Sequence, residues 1–210
     1  MIMRLHYSPA SPYVRKVMVA AHELQMVDQI ELIRTNPWQS DAHLVQDNPL
    51  GKIPTLITPD GQRLFDSYVI MEYLNIQAKG GLSVFPNDCQ DRLNALRWHA
   101  IAQGIIDATV NWVLEHRREA AERSQTWIQR QVLAVRRALQ SAEVDAGQLD
   151  SIATPNQPPN VGEIALGCAL GYLNFRMSNE DWHQDAPQLN QWYKLFVMRP
   201  SMLATQPSDQ

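Results

Sequence analysis

The stretch MIMRLHYSPASPYVRKVMVAA (residues 1–21) decides how the chain begins to fold. MRLHY reads as a short strand, SPA as a turn, and PYVRKVMVAA as the opening of a helix that carries Val14, Val17, Met18 and Ala21 on one face. Ser11 followed by Pro12 is a helix start. The serine oxygen can accept an N–H of the first turn, and proline at the first helical position gives up no donor the helix needs. That function leaves the serine O–H unused, since a hydroxyl has one donor and two acceptor lone pairs. It is free to point at an anion held at the positive end of the helix. A thiolate is such an anion, and a hydrogen bond to the charged form lowers its pKa. Ser11 is therefore a candidate for chemistry as well as for capping.

Working outward, the 210 residues are 45% hydrophobic, enough for one large domain or two modest ones. The net charge of -4 and a pI near 5.8 argue against a dedicated nucleic-acid binder. The basic clusters HRR (116–118) and RR (136–137) lie in helical sequence, the first beside Glu115, Glu119 and Glu122, and read as solvated faces. The N-terminus has no basic segment followed by an apolar run, and no stretch approaches about 18 apolar residues, so no membrane partner and a cytoplasmic protein are expected. Cys89 and Cys168 are far apart. Cys168 lies in the apolar run IALGCALGYL and reads as a buried small hydrophobe, whereas Cys89 falls where exposure is expected. Neither pairs with another cysteine or a histidine at ligand spacing, and no metal is expected.

The two halves differ. Up to residue 78 the order is strand (MRLHY), helix, strand (QIELIRT), a polar loop, two short strands joined at PDGQ, and a helix SYVIMEYLNIQA. A βαβ crossover would make the first two strands parallel, and the hairpin would add antiparallel ones. Residues 79–90, opening KGGLSVFPND, read as a linker. Residues 91–210 read as all-helical. CQDRL through REAAE reads as one long helix with Leu93, Leu96, Ala100, Ile101 and Gly104 on a face, followed by a helix with Trp127, Ile128, Val132, Val135 and Leu139 at helical spacing. TPNQPPN breaks the chain. NVGEIALGCALGYLNFR follows, with Asn160 and Glu163 at capping-box spacing, and a last helix stops before Pro200. Five of the six tryptophans fall in this half, which implies a large interhelical core.

Two further stretches point to ligand chemistry. NPLGKIPTL (48–56) places Pro54 at the start of a strand, where its missing donor does least harm. A cis Ile53–Pro54 bond would turn the N–H and C=O of Ile53 outward, able to pair with an extended peptide ligand as an added strand does; an ordinary trans proline on an edge is the plainer reading. FDSYVIMEYL (65–74) starts a helix at Asp66-Ser67. The N–H and hydroxyl of Ser67 can hold an anion and Asp66 an ammonium, which together suit an amino-acid head group; a simple N-cap preceded by an acid explains the same residues.

Ser-Pro at the first helix, NPLGKIP, and DS before YVIMEYL, in that order, resemble the glutathione S-transferase family over almost the whole chain. The resemblance implies a thioredoxin-like α/β N-terminal domain (1–78), a linker (79–90) and an all-α helical bundle domain (91–210). It implies glutathione as co-substrate, with Ser11 donating to its thiolate, Ile53 offering its backbone to the cysteinyl part, and Pro54 as the family's cis-proline. Lys52 would meet the glycyl carboxylate, and Asp66 with Ser67 the γ-glutamyl head group. Ser8 is a second candidate for the thiol in a shifted register, with Tyr7 below both, and Trp38, His43 and Gln46 stand as alternatives at the glycyl end.

Serine rather than cysteine at position 11 excludes a mixed disulfide with glutathione there and favours attack of the activated thiol on a small hydrophobic electrophile. The pocket for that electrophile is expected in the helical domain, at Trp112 with Asn111 and Glu115. The resemblance also implies a homodimer, for which Tyr68, Met71 and the helix from Asp91 onward offer apolar groups. A non-catalytic glutathione-binding or partner-binding protein, or a glutathione-dependent isomerase, are the alternatives. The isomerase is the weaker of these, because its serine-serine-cysteine signature is replaced here by Ala10, Ser11 and Pro12.

Overall fold

A computed structural model describes residues 2–39, 42–149, 157–178 and 180–209. The chain divides into two compact units, one of Met1–Pro86, Gln157–Val161 and Pro200–Gln210, the other of Asn87–Asn156 and Gly162–Arg199.

In the first unit, strand β1 (Met3–Tyr7) leads into helix α1 (Pro12–Glu23), strand β2 (Ile30–Arg34), helix α2 (Ala42–Asp47), strands β3 (Thr55–Ile57) and β4 (Arg63–Leu64), and helix α3 (Ser67–Gln77). The sheet order is β2-β1-β3-β4. β1 and β2 are parallel, joined by the α1 crossover, while β3 lies antiparallel to both β1 and β4. This is the thioredoxin-like arrangement expected from the sequence. The β3–β4 turn closes through Gly61 N–H to the Thr58 carbonyl, 2.9 Å, and Gly61 at φ +87° needs the freedom of glycine there. α1 packs against α3, and Val17, Ala20 and Ala21 on one helix and Ile70, Met71 and Leu74 on the other are fully buried.

α2 forms within the polar stretch between β2 and β3, where the sequence predicts a loop. Only Leu44 is buried in its six residues, too little for a periodic signal. Met71, named above as an apolar group left for a partner, is fully buried in its own unit. The outward apolar side chains of α3 are Val69 and Ile76.

The second unit contains α4 (Cys89–His116), α5 (Gln125–Asp145), α6 (Val161–Arg176, from Gly162 on), α7 (Trp182–Asp185) and α8 (Pro187–Phe196). The expected single helix through Glu122 ends at His116. Ser124 then caps α5 by accepting the Trp127 N–H at 3.2 Å, and its own N–H donates to the Glu115 carboxylate at 2.8 Å, so the chain turns. The buried face of α4 is Ala95, Trp98, Ala102, Ile105, Ile106 and Thr109, rather than the phase read from the sequence; Leu93 is 60% exposed. Apolar residues occupy both phases, Leu93, Leu96 and Ile101 on one and Trp98, Ile105 and Ile106 on the other, and the second is the one buried. α5 buries Ile128, Val135 and Leu139 as expected, while Trp127 stays exposed. α8 lacks a side-chain cap of its own, and Glu143 of α5 supplies one by accepting the N–H groups of Gln188 and Leu189 at 2.8 and 2.9 Å. In TPNQPPN, residues 154–156 lie outside the described residues.

The last helix ends at Phe196, and Pro200 opens a further short helix, α9 (Pro200–Ala204). The sequence reading carried this segment with the helical domain; its contacts group it with the first unit. The Arg15 guanidinium donates to the Met202 carbonyl at 3.1 Å and the Ser201 hydroxyl to the Glu23 carboxylate at 2.5 Å. Cys89 is exposed and Cys168 buried. Among the described residues no helix is long and apolar enough to cross a membrane.

Candidate functional site

The strand register determines which sequence motifs meet. His6 of β1 lies opposite Thr55 of β3, and Leu64 of β4 opposite Leu56. β1 therefore ends where β3 begins and where β4 ends. The turn bearing Ser8 and Ser11, the Ile53–Pro54 pair before β3 and the Asp66-Ser67 pair after β4 all fall at that one end of the sheet.

Ser11 is the N-cap of α1, in extended backbone conformation (φ -83°, ψ 118°), and its Oγ accepts the Val14 N–H at 3.3 Å. Pro12 takes the first helical position. The Ser11 O–H donates to no group among the described residues. Ser8 contributes its carbonyl, which accepts the Ser11 N–H at 3.1 Å and closes the turn. Tyr7 is the last residue of β1, and its carbonyl accepts the Thr35 N–H at 2.9 Å.

The Ile53–Pro54 bond is cis. Neither the N–H nor the C=O of Ile53 is hydrogen-bonded among the described residues. Lys52 beside it is exposed and pairs with no acid among them. Trp38, His43 and Gln46 are all exposed.

At α3 the structure revises the sequence reading in detail. Asp66 is the N-cap, its carboxylate accepting the Tyr68 N–H at 3.0 Å, and Ser67 is the first helical residue. Ser67 is only 2% exposed, yet its hydroxyl has no partner among the described residues. The helix start thus offers an exposed carboxylate, an unpartnered serine hydroxyl and free backbone N–H groups side by side. Trp112 is a residue of α4 in the second unit, half-buried, with its ring 3.9 Å from that of His116.

A group that sequence reasoning missed sits beneath these motifs. His6 is buried on β1, with Nδ1 2.8 Å from the Thr35 hydroxyl and Nε2 3.1 Å from the Asp47 carboxylate. Asp47 also accepts from Arg63 at 2.8 Å. Partial burial pushes the Asp47 carboxyl up, but the hydrogen bonds from His6 and Arg63, with their charges, outweigh it and hold it below its ordinary value. This cluster ties the end of α2 to β1 and β4. The sequence carries no signal for it: alternation in MRLHY places His6 on the face of the exposed Arg4, opposite Met3 and Leu5. Among the described residues no group of histidine, cysteine, aspartate and glutamate side chains could hold a metal ion.

Comparison with known proteins identifies what the chain as a whole resembles. The family description "Glutathione S-transferase, N-terminal domain" matches residues 10–77. The uncharacterized GST-like protein YibF of Escherichia coli (strain K12) is 34% identical over 205 residues, 98% of each chain. A glutathione transferase family member from Pseudomonas fluorescens Pf-5, solved with bound glutathione, is 41% identical with a TM-score of 0.90, covering 98% of this chain and 99% of its own. A glutathione S-transferase from Methylobacillus flagellatus KT, also with glutathione bound, is 35% identical with a TM-score of 0.88 over 98% of this chain and all of its own. With one relative above 30% identity along essentially its full length, and the sheet-end motifs in place, the chain belongs to the glutathione S-transferase family.

Proposed function

We propose that the protein is a cytoplasmic glutathione transferase that activates the glutathione thiol for attack on a small hydrophobic electrophile. The observation that carries this reading is Ser11: its lone pair is engaged by the Val14 N–H while its O–H has no acceptor among the described residues. The helix start adds partial positive charge to that free donor.

In this reading the γ-glutamyl head group takes the N-terminus of α3. Its carboxylate meets the Ser67 hydroxyl and N–H, and its ammonium meets Asp66. The cysteinyl part pairs with the backbone of Ile53 ahead of Pro54, and the glycyl carboxylate meets the Lys52 ammonium. These contacts hold the sulfur at Ser11. The thiol proton leaves to solvent, and the Ser11 O–H donates to the resulting thiolate. The sulfur then attacks the electrophilic carbon; an S–C bond forms and the leaving group departs with the bonding pair. Proximity and a stabilised thiolate supply the acceleration. Trp112 is the residue assigned to the electrophile, and a two-fold homodimer is the assembly.

The test is conjugation of glutathione to a generic aryl halide by the purified protein, with Ser11→Ala in parallel. Turnover that falls at least tenfold in the variant supports the reading. Glutathione binding without turnover above the uncatalysed rate would make the protein a non-catalytic binder.

A further inference from the structure

The loop that carries Lys52 and Ile53 is built around one buried amide. Asn48, 1% exposed, follows α2 directly. Its Nδ2 donates to the Lys52 carbonyl at 2.9 Å and lies 3.0 Å from the Thr55 hydroxyl, while its Oδ1 accepts the Leu50 N–H at 3.0 Å. The Asn48 backbone is fixed as well, donating to the Leu44 carbonyl at 2.7 Å and accepting from Gly51 at 2.9 Å. Thr55, fully buried on β3, closes the triangle: its hydroxyl donates to the same Lys52 carbonyl at 2.9 Å. Two buried donors therefore converge on one carbonyl oxygen, engaging both of its lone pairs.

The consequence follows from peptide geometry. The Lys52–Ile53 peptide is trans and planar, so the Lys52 C=O and the Ile53 N–H point in opposite directions. A carbonyl drawn inward onto Asn48 and Thr55 turns the Ile53 N–H away from them. That N–H has no acceptor among the described residues, and a fixed, unsatisfied backbone donor is what an added strand requires.

We propose that Asn48 and Thr55 are positioning residues, which clamp the Lys52 carbonyl and thereby present the Ile53 N–H to the peptide backbone of glutathione. The proposal rests on the reading that glutathione pairs with Ile53. Neither residue touches the ligand; both act through one carbonyl. Their effect therefore falls on glutathione affinity and on the Ile53 amide in particular.

The experiment uses the full-length 15N-labelled protein, with calorimetric titration of glutathione and amide hydrogen exchange with and without it. Thr55→Val keeps the side-chain shape and removes the hydroxyl, Thr55→Ser restores it, and Asn48→Ala removes the amide. In wild type, glutathione slows exchange at Ile53 and at Ser67. Thr55→Val weakens glutathione by about tenfold, as expected for one misaligned hydrogen bond, and loses protection at Ile53 while keeping it at Ser67. Thr55→Ser stays within about twofold of wild type, and Asn48→Ala falls at least as far as Thr55→Val. A folded Thr55→Val protein with wild-type affinity and full Ile53 protection overturns the positioning role, whatever its melting temperature. Wild-type protein that binds glutathione without protecting Ile53 overturns it too. Absence of any glutathione binding by wild type overturns the site reading itself, and the proposal with it.

Discussion

The Ser11 Oγ accepts the backbone N–H of Val14 at 3.3 Å, so the residue proposed to activate the thiol is also the one that starts α1. The two roles use different parts of one hydroxyl and can be separated. Ser11→Ala is expected to lower stability by about 1 kcal/mol through loss of the cap. Ser8→Ala, which keeps the backbone carbonyl that closes the turn, should change it by less than about half of that. Urea denaturation of both variants checks the difference, and equal losses would remove the cap assignment.

The unpartnered hydroxyl of Ser67 leads to a binding prediction. Ser67→Ala should weaken glutathione by about 1.5–3 kcal/mol, the range for a lost hydrogen bond to a charged group, with little change in the melting temperature because Asp66 remains as the cap. Calorimetry reads this directly. Unchanged affinity would take the γ-glutamyl end away from the start of α3.

Asp47 gives a pH dependence of stability. Its carboxyl is depressed below the ordinary 3.8 in the folded protein, so its stabilising contribution is complete above that value and is lost as pH falls through the folded pKa. Asp47→Asn should cost about 1.5 kcal/mol near neutral pH, the low end for bonds to a charged group because Arg63 is half-exposed. The gap from wild type should close below pH 3.8. A gap that stays constant through the acid limb would contradict the assignment.

Val69 and Ile76 on α3 and Leu93 on α4 are large apolar side chains left exposed in the single chain. With the proposed homodimer, sedimentation at micromolar concentration should give twice the chain mass of 23.9 kDa, and Ile76→Lys should shift the equilibrium toward monomer. A single species at the chain mass would contradict dimerisation.

Most of the first unit was legible because its signals are local. The Ser11-Pro12 start, the Pro-Asp-Gly turn and the strand lengths are each set by a few adjacent residues. The resemblance rested on three such motifs, and the sheet register brings all three to one end. What escaped was set by distant partners. α2 is held largely by Asp47 and Asn48, whose partners His6, Arg63 and Thr55 lie elsewhere in the sequence. The phase of α4 is ambiguous in the sequence because apolar residues of similar size stand in both phases, Leu93, Leu96 and Ile101 against Ile105 and Ile106, so periodicity does not choose between them. α9 was missed because Pro200 looked like a stop, whereas proline is equally at home in the first turn of a new helix, here one docked through the Arg15–Met202 bond.

The central claim is that the Ser11 hydroxyl stabilises the thiolate of bound glutathione. Its most direct test is the ultraviolet absorbance of the thiolate in the glutathione complex, titrated against pH for wild type, Ser11→Ala and Ser8→Ala. Wild type should ionise the thiol well below the roughly 8.5 of an unperturbed thiol, and Ser11→Ala should move the midpoint back toward that value by about one unit or more, while Ser8→Ala leaves it in place. A Ser11→Ala complex that titrates with the wild-type midpoint contradicts the account, and a shift seen only in Ser8→Ala would transfer the role to Ser8.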